Sequence, residues 1–482
     1  MYRAPSKRHQ LIKRIAVYSL MTLGVTLLVT FLVFIMLGFR FNRSTSSIQQ
    51  GGLVQFASRP IDARVTVGKA ELKDSTPSKI TMNPGNYDVS MKKTGYHDWV
   101  KNVDVVSGEV LWLNYTQLVP TDIKTEQLNK FETLSQAKSA PNGDRYALIT
   151  DSTKPVVSFL DITGSVPKQD DIAIPTALIP ADKTPVYDLV EWANDSDRIL
   201  VTMSYDGVVD RLLVDRRNAD RTVNISKDYA ADIAAATFDP RSSERVIIRT
   251  ANGDIRLIDT ANNSLSSVLA SNVSTMSLYD NDAILVVQPL AEGGQSIGYL
   301  SLGSSEVREL KRIASAEKTT FAVAEYFNEP HIAVATGAQL DIYKVNSLPS
   351  SKSDAVISMT NVHSVVLPAT VEYLSIRTGG RFVVAQYAGG LQTYDIELNK
   401  QVLTAFKAPV VSELRWLDKY HFYVTSGTDL QVMEFDGSNA HLITALATTF
   451  DAVQSDDGKF IYSLQKTDTG FALQRSRMIL EN

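Results

Sequence analysis

Cysteine is absent from the 482 residues, and histidine is scarce. Without cysteine the chain forms no disulfide bond and no thiolate metal site, whatever compartment it occupies. The histidines stand singly, without the His-Glu-x-x-His pattern or another close spacing typical of metal ligands. They are His9, His97, His331, His363, His421 and His441. We therefore expect ordinary surface or strand histidines and no metal site.

Nucleotide-binding motifs and excess positive charge are also missing. Neither G-x-x-x-x-G-K-[ST] nor G-x-G-x-x-G occurs in the sequence, which argues against nucleotide enzymes and predicts no cofactor. The net charge is −5, so we expect no basic face for nucleic acid. Hydrophobic residues make up 44% of the chain, which is enough for the cores of a multi-domain protein.

One long apolar run lies near the N-terminus. From Ile15 to Leu37 no residue is charged. At about 1.5 Å per residue, a helix of this run covers ~35 Å, enough to cross the hydrocarbon core of a bilayer. A cleaved signal peptide would have an apolar segment of only about 7 to 15 residues and a small-residue cleavage site. We therefore predict an uncleaved transmembrane helix over 15–37.

The basic residues around this run predict its orientation. Five precede the run and two follow it closely: Arg3, Lys7, Arg8, Lys13 and Arg14, then Arg40 and Arg43. The positive-inside rule makes residues 1–14 a cytoplasmic basic tail and places all later domains outside the membrane. Residues 38–52, which include a polar Ser-Thr-Ser-Ser stretch, are interpreted as a short flexible linker.

Residues 53–120 have the alternating pattern of a small β-sandwich. Apolar residues recur with period two and are separated by turn residues near Thr76-Pro77, Asn83-Pro84 and Ser107-Gly108. The alternating groups are Val65 and Val67; Ile80 and Met82; Tyr87, Val89 and Met91; and Val103 and Val105.

The same stretch resembles the PEGA domain, a module of bacterial surface proteins. The resemblance covers about 70 residues and is carried by Ser58, Pro60, Ala63, Val65, Val67, Thr76, Pro77, Pro84, Gly85, Tyr87, Gly95, Tyr96 and Trp99. The Pro-Glu-Gly-Ala motif is half kept, because Ile61 and Asp62 replace its Glu and Gly. The resemblance implies a non-catalytic extracytoplasmic β-sandwich, often beside a membrane anchor, that mediates envelope interactions or acts as a spacer.

A repeated sequence pattern fills the rest of the chain, residues 125–482. Each copy has a polar turn followed at once by a short apolar strand. The turns lie at Asn142-Gly143, Asp195-Ser196, Arg241-Ser242, Asp280-Asn281, Asn328-Glu329, Thr378-Gly379, Asp418-Lys419 and Asp456-Asp457. The strands after them begin at Tyr146, Ile199, Val246, Ala283, Ile332, Phe382, Phe422 and Phe460.

A second strand completes each copy. These partner strands begin at Val156, Arg211, Ile255, Ile297, Leu340, Leu391, Leu430 and Phe471. A repeat of about 40 to 50 residues is typical of four-stranded propeller blades. We therefore predict an all-β chain ending in a β-propeller of about eight blades, with seven blades or an irregular β-sandwich array as alternatives.

One catalytic-looking motif occurs within the repeats. Gly294-Gln295-Ser296-Ile297-Gly298 fits G-x-S-x-G, the nucleophile elbow of α/β-hydrolases. The elbow requires a strand before it and a helix after it, whereas the residues after Ser296 alternate like a strand. We therefore interpret the motif as a blade hairpin loop and predict no catalytic residue.

Acidic residues cluster near the turns, where they accept hydrogen bonds from the local backbone. They are Asp195, Asp197, Asp280, Asp282, Asp456 and Asp457, and they lack the ligand spacing of a calcium loop. A glycosidase pair of carboxylates contributed by two blades stays open, because sequence spacing does not reveal that geometry.

Large aromatic residues precede several turns. Trp192, Phe238, Tyr279, Phe327 and Trp416 are assigned to equivalent places in their repeats. A recurring aromatic fills the same gap between sheets, which favours packing between blades. Stacking on a glycan is the alternative role.

Three functions agree with this organisation. The first is a single-pass, membrane-anchored binding or scaffolding protein of the bacterial cell envelope, whose propeller recruits a protein or an envelope polysaccharide. The second is an extracytoplasmic propeller enzyme, a hydrolase or lyase, with reactive groups at the central channel. The third is a structural envelope component without a discrete ligand. The first is favoured, and a cluster of carboxylate, His or Arg residues at the channel mouth would favour the second.

Overall fold

The computed structural model describes residues 7–42, 47–229, 232–280, 283–349, 356–376, 379–406, 414–446, 450, 452–455 and 457–481. Arg43, Asn281, Asp282, Thr378 and Asp456 lie outside these residues, as do residues 44–46 of the polar Ser-Thr-Ser-Ser stretch and the start of the basic tail. The chain divides into two compact units, Met1–Asp122 with Leu480–Asn482, and Ile123–Ile479.

The N-terminal apolar run forms helix α1, Lys7–Met36. Its segment Leu11–Met36 is long and apolar enough to cross a membrane, and none of that segment is buried in the protein. The hydroxyl groups of Thr22 and Thr26 donate to the carbonyl oxygens four residues earlier, at 2.8 and 2.9 Å. These polar side chains are therefore satisfied within the helix and do not oppose an apolar environment.

Two short strands follow the helix. They are β1, Phe39–Asn42, and β2, Ser47–Gln50, and they pair antiparallel. Residues 38–52 were interpreted as a flexible linker, but this segment has regular backbone pairing on both sides of its polar Ser-Thr-Ser-Ser stretch.

The next seven strands form a small β-sandwich. They are β3 Gly52–Arg59, β4 Arg64–Val67, β5 Ala70–Glu71, β6 Ser78–Met82, β7 Gly85–Lys92, β8 Trp99–Val105 and β9 Val110–Gln117. One sheet has the order β6-β3-β9 and the other the order β5-β4-β7-β8. Strands β3 and β9 are parallel, and the other pairs are antiparallel.

The alternating pattern of this unit buries one face of each sheet. Val65, Met91 and Trp99 are among its fully buried side chains. Leu480, from the other end of the chain, packs against the same core, and its amide N–H donates to the Tyr96 hydroxyl at 2.7 Å. The propeller was predicted to extend to residue 482, but its last strand ends at Arg477.

The second unit is built from four-stranded antiparallel sheets, whose strands we call A to D in sheet order. The first four blades comprise β11 Gln136–Ser139, β12 Arg145–Ile149, β13 Val156–Asp161 and β14 Lys168–Ala173; β15 Val186–Trp192, β16 Arg198–Tyr205, β17 Val208–Asp215 and β18 Val223–Asn224; β19 Ile233–Asp239, β20 Ser242–Thr250, β21 Ile255–Asp259 and β22 Ser264–Leu265; and β23 Thr275–Asp280, β24 Ala283–Pro289, β25 Gln295–Ser301 and β26 Val307–Ile313.

The remaining blades repeat the arrangement, except that the last borrows its D strand from the start of the unit. They comprise β27 Thr319–Tyr326, β28 Glu329–Thr336, β29 Gln339–Val345 and β30 Met359–Val366; β31 Val371–Ile376, β32 Phe382–Tyr387, β33 Gly390–Asp395 and β34 Lys400–Ala405; β35 Arg415–Trp416, β36 His421–Ser426, β37 Asp429–Glu434 and β38 His441–Ala445; and β39 Val453–Gln454, β40 Phe460–Thr467, β41 Gly470–Arg477 and β10 Thr125–Phe131.

The described residues therefore form eight blades, which confirms the predicted propeller. Every predicted pair of apolar strands corresponds to the B and C strands of one blade. Pairing of β10 with β41 joins the first and last strands of the unit in one sheet. Three short helices interrupt the blades: two 3₁₀ helices, Thr176–Leu178 and Ala219–Arg221, and α2, Ile225–Asp228.

Apolar clusters fill the seams between blades. One contains Ile149 of the first blade with Val201 of the second, and another contains Leu148 of the first blade with Leu464 of the eighth. The Tyr423 hydroxyl of the seventh blade donates to the Ala452 carbonyl oxygen, just before the first strand of the eighth blade. Neighbouring blades thus cover each other's faces, which a single hairpin could not do alone.

Ion pairs connect the start of the B strand to the end of the C strand in several blades. The paired groups are Arg145 and Asp161 at 4.0 Å, Arg198 and Asp215 at 3.4 Å, Arg245 and Asp259 at 2.9 Å, and Arg381 and Asp395 at 2.7 Å. This pairing recurs in several blades and was not predicted from the sequence.

Candidate functional site in the propeller channel

A cavity of about 880 Å³ lies among the A strands of the propeller. Neighbouring A strands contact one another, as β11 does with β15 and β27 with β31, so they form the inner ring. The cavity is lined by residues where five A strands end and their turns begin: Lys138 to Gly143, Glu191, Trp192, Asn194, Tyr373, Ser375, Ile376, Leu414 to Leu417, Tyr423 and Val453 to Ser455.

The short A strand of the eighth blade helps to explain this space. Strand β39 has two residues, whereas β15 has seven. The Arg415 guanidinium of the seventh blade donates to the Ser139 hydroxyl of the first blade at 3.2 Å, past the eighth blade. A shorter inner strand leaves room beside this contact, where a polar ligand could enter.

The strand register places three charged residues at one repeat position. Lys138 pairs with Ala147, Glu191 with Leu200, and Arg415 with Tyr423, in each case with the B-strand residue that follows the one packed against the preceding blade. The same position in the other blades holds small or uncharged residues: Thr237, Ser277, Ala322, Ser375 and Val453. We call Arg415, Lys138 and Glu191 the charged arc, because they lie on the seventh, first and second blades.

The carboxylate of the charged arc is held in a partly buried place. Burial raises the pKa of Glu191 above its ordinary value, although the Thr237 hydroxyl and the charge of Lys138 act in the opposite direction. The Thr237 hydroxyl donates to Glu191 Oε1 at 3.0 Å. Because its pKa is raised, Glu191 binds a proton more readily than an exposed glutamate does.

The aromatic residues of the cavity wall serve packing, as predicted. Trp192 is 5% exposed, and its ring meets Phe159 edge to face at 5.5 Å. Its indole N–H donates to the Lys138 carbonyl oxygen at 3.0 Å, which fixes the backbone that carries Lys138. Trp416 meets Phe422 at 5.5 Å in the same manner. Trp192 is buried and Trp416 half-buried, so both rings are used in packing.

Two of the predicted equivalent aromatics occupy other positions. In register, Leu278 and Val323 correspond to Trp192, whereas Tyr279 and Phe327 do not. A β-bulge after Leu278 shifts the fourth blade by one residue. Phe327 lies in the turn before β28 and is 81% exposed. Phe238 keeps the equivalent position and is buried.

The G-x-S-x-G match has no elbow geometry. Ser296 lies inside strand β25, is buried, and donates to Glu309 Oε2 at 3.1 Å. The next element is β26, not a helix. Only Gly294 lies in the turn before β25, so the predicted hairpin loop is corrected to a turn followed by a paired strand. The Ser296 hydroxyl is therefore bonded within the blade and is not presented to a substrate.

The turn carboxylates hold local backbone, as expected. Asp195 accepts from the Asp197 amide at 3.0 Å. Asp457 accepts from the Ser455 hydroxyl and the Lys459 amide, which lowers its pKa to about 2. Across the described ranges, no group of three or more His, Cys, Asp and Glu residues is arranged to hold a metal ion.

Comparison with solved structures finds propellers at low similarity. An oligogalacturonate lyase in complex with manganese is 10% identical, with a TM-score of 0.41, and the match covers 74% of this chain and 98% of the lyase. The β-propeller domain of Cps50 (Swd1) from Myceliophteria thermophila is 13% identical, with a TM-score of 0.41 and coverage of 66% and 99%. Dipeptidyl peptidase 4 of Porphyromonas gingivalis is 13% identical, with a TM-score of 0.46 and coverage of 71% and 57%.

Comparison by sequence is informative for the first unit only. No curated protein matches the chain significantly. A protein-family match covers residues 52–121, the stretch that resembles a PEGA domain and folds as the small β-sandwich β3 to β9. The chain thus carries a PEGA domain at residues 52–121, between an N-terminal apolar helix and an eight-bladed propeller.

Proposed function

We propose that this chain is a single-pass, membrane-anchored binding protein of the bacterial cell envelope. Helix α1 anchors it with the N-terminus in the cytoplasm, the PEGA domain acts as a spacer, and the propeller recruits a protein or an envelope polymer outside the membrane. The observation that carries the binding role is the cavity of about 880 Å³ at the ends of the A strands, which is lined by polar side chains.

The lining of the cavity supports binding of a polar, extended ligand. Its volume lies within the range of about 300 to 1,000 Å³ that is usual for ligand sites. Lys138 and Arg415 favour ligands with carboxylate or phosphate groups, because ammonium and guanidinium groups donate charge-assisted hydrogen bonds to such anions. Asn142, Asn194 and Gln454 add amide groups that pair with peptide bonds or sugar hydroxyls.

A binding experiment tests this role with a matched pair of lysines. Lys138 lies on the inner strand β11 and Lys168 on the outer strand β14 of the same blade. The full-length protein in detergent would be co-sedimented with isolated peptidoglycan and, separately, incubated with solubilised envelope proteins. We expect Lys138→Ala to weaken retention by about 10-fold, the size of one lost charge-assisted contact, and Lys168→Ala to leave it unchanged. Equal retention of both variants would contradict the proposed site.

An extracytoplasmic hydrolase or lyase is the second candidate. The charged arc favours it, because a carboxylate and an arginine lie at the channel mouth and burial raises the pKa of Glu191. In that case Glu191→Gln would abolish turnover of an envelope polymer while its binding persists. For a binding protein, the same variant changes affinity only, and no product forms with either protein.

The orientation is tested by labelling with a thiol reagent. Because the natural chain has no cysteine, a single cysteine in Ser165→Cys, at an exposed site beyond β13, is the only thiol in its variant. We expect this thiol to react with a membrane-impermeant maleimide on intact cells, whereas the thiol of Arg8→Cys reacts only after lysis. If only the Arg8→Cys thiol reacted on intact cells, the orientation would be the opposite of the one proposed.

A further inference from the structure

Hydrogen bonds join the end of helix α1 to the PEGA domain. The Gln50 side-chain amide donates to the Leu37 carbonyl oxygen at 2.9 Å. The Gly51 amide donates to the Gly38 carbonyl oxygen, also at 2.9 Å. Because Gly51 directly precedes β3, these bonds hold the helix end to the residues that lead into the sandwich.

A second set of hydrogen bonds closes the same junction from the β8–β9 turn. The Ser107 hydroxyl donates to the Gln50 carbonyl oxygen at 2.9 Å, and the Gly108 amide donates to the Gly51 carbonyl oxygen at 3.1 Å. A Cβ atom at Gly52 would lie 2.4 Å from the Val106 carbonyl oxygen, so the backbones meet closely there. We call residues 37–38, 50–52 and 106–108 the collar.

The strand order brings one end of the PEGA domain to the collar. Strands β3 and β9 begin beside it, and β6 and β8 end beside it. Four exposed apolar side chains lie within four residues of the collar along the chain: Ile48 (69% exposed), Val106 (47%), Val110 (41%) and Trp112 (47%). At about 3.3 Å per strand residue, all four lie within ~13 Å of the helix end along the strand direction.

This position overlaps the headgroup layer of a membrane. The layer adds about 5 to 7 Å on each side of the hydrocarbon core, which is the distance along the strands that two residues cover, so Ile48, Val106 and Val110 fall within it and Trp112 lies at its outer border. Tryptophan is enriched at this border because its ring is apolar and its N–H is polar. Asp104 and Glu109 are exposed near the same end. These carboxylates stay hydrated at headgroup level and give no electrostatic attraction to anionic lipid, so the contact proposed for this end of the domain is an apolar one.

We propose that the collar end of the PEGA domain rests on the lipid surface of the membrane that α1 crosses, with Ile48, Val106, Val110 and Trp112 in contact with the headgroup layer. The proposal rests on the membrane anchoring given above. The PEGA domain then has two roles: it is a spacer, and it contacts the membrane through these four side chains, which we call the seat. This contact explains why β1 pairs with β2 and why the residues of the collar are hydrogen-bonded to one another.

Single-cysteine spin labelling of the full chain tests the seat. The variants Val106→Cys and Trp112→Cys carry labels at the seat, and Thr94→Cys carries a control label in the β7–β8 turn. The register of β7 and β8 places that turn about 20 Å from the collar end. Leu23→Cys, in the middle of α1, reports on the anchor itself. All four sites are exposed, so the labels do not disturb a core.

For each label we measure two collision rates, one with oxygen, which concentrates in lipid, and one with a water-soluble nickel complex. The ratio of the first rate to the second reports how close the label lies to lipid. In vesicles of zwitterionic lipid we expect the ratio at Val106→Cys and Trp112→Cys to exceed that at Thr94→Cys several-fold, at both low and high salt. If Leu23→Cys reports lipid while the two seat labels match Thr94→Cys, the seat is refuted and the anchor stands. If Leu23→Cys also reports water, both the anchor and the seat fail.

Discussion

The B strands and the A strands of the propeller blades are neighbours in each sheet but have different roles. In the sixth blade the B strand β32 is buried along its whole length, whereas the A strand β31 is only partly buried. The B strands fill the seams between blades, and the A strands line the cavity with charged, hydroxyl and small side chains. Stability and binding are therefore carried by adjacent strands, and substitutions can separate them.

The largest effect is expected from a B-strand aromatic residue. Phe382 is 1% exposed and stacks on Phe435 with ring centroids 4.0 Å apart. We expect Phe382→Ala to lower the free energy of unfolding by about 4 kcal/mol, because it leaves a cavity as well as losing buried apolar area. Denaturant unfolding measures this change. Ser375→Ala on the adjacent A strand is the control and should cost less than about 0.5 kcal/mol.

A somewhat smaller loss is expected from the buried ion pair of the second blade. Arg198 starts its B strand, is 5% exposed, and contacts Asp215 at 3.4 Å and Glu244 at 2.8 Å. Arg198→Ala leaves the Asp215 carboxylate buried without this partner, so we expect a loss of about 3 kcal/mol in unfolding free energy. The exposed Arg312 pairs with Glu309 at 2.9 Å, and Arg312→Ala should cost less than about 1 kcal/mol. Similar losses in both variants would show that the buried pairs do not stabilise the blades.

Substitution of the A-strand carboxylate Glu191 is expected to raise the stability of the protein, whereas the two substitutions above lower it. Because burial raises the pKa of Glu191 in the folded state, the folded protein binds its proton more tightly than the unfolded chain does. This group therefore favours folding below its ordinary pKa, and that contribution is lost as the pH rises through the raised pKa. We expect Glu191→Gln to be slightly more stable than the natural protein at pH 7. Melting curves from pH 4 to 8 check this, and a gain that is larger at pH 4 than at pH 7 would contradict the assignment.

The difference between strands also explains what the sequence could predict. The B and C strands are short runs of Val, Ile, Leu and aromatics, and all eight pairs were identified, because burial on both faces leaves a continuous apolar signal. The A and D strands were not identified. The A strand β11 reads QAKS and the D strand β14 reads KQDDIA, since one lines the cavity and the other faces water.

The charged arc was not predicted, and the reason is geometric. Lys138, Glu191 and Arg415 are distant in sequence, and they share a repeat position only once the pairing with the B strand is known. A β-bulge in β15 next to Glu191 and the two-residue length of β35 obscure that register. The one available signal was that Glu191 and Arg415 each directly precede a tryptophan of the repeat, Trp192 and Trp416.

Photo-crosslinking tests the central claim, that the A-strand mouth of the propeller binds the ligand, most directly. A lysine analogue that carries a diazirine and keeps the ε-amine would replace Lys138 on β11 or, as a control, Lys168 on β14 in the full-length protein within its native membrane. Irradiation should give a discrete adduct of higher mass from position 138 and none from position 168. No adduct at position 138, or the same adduct at both positions, would contradict the claim.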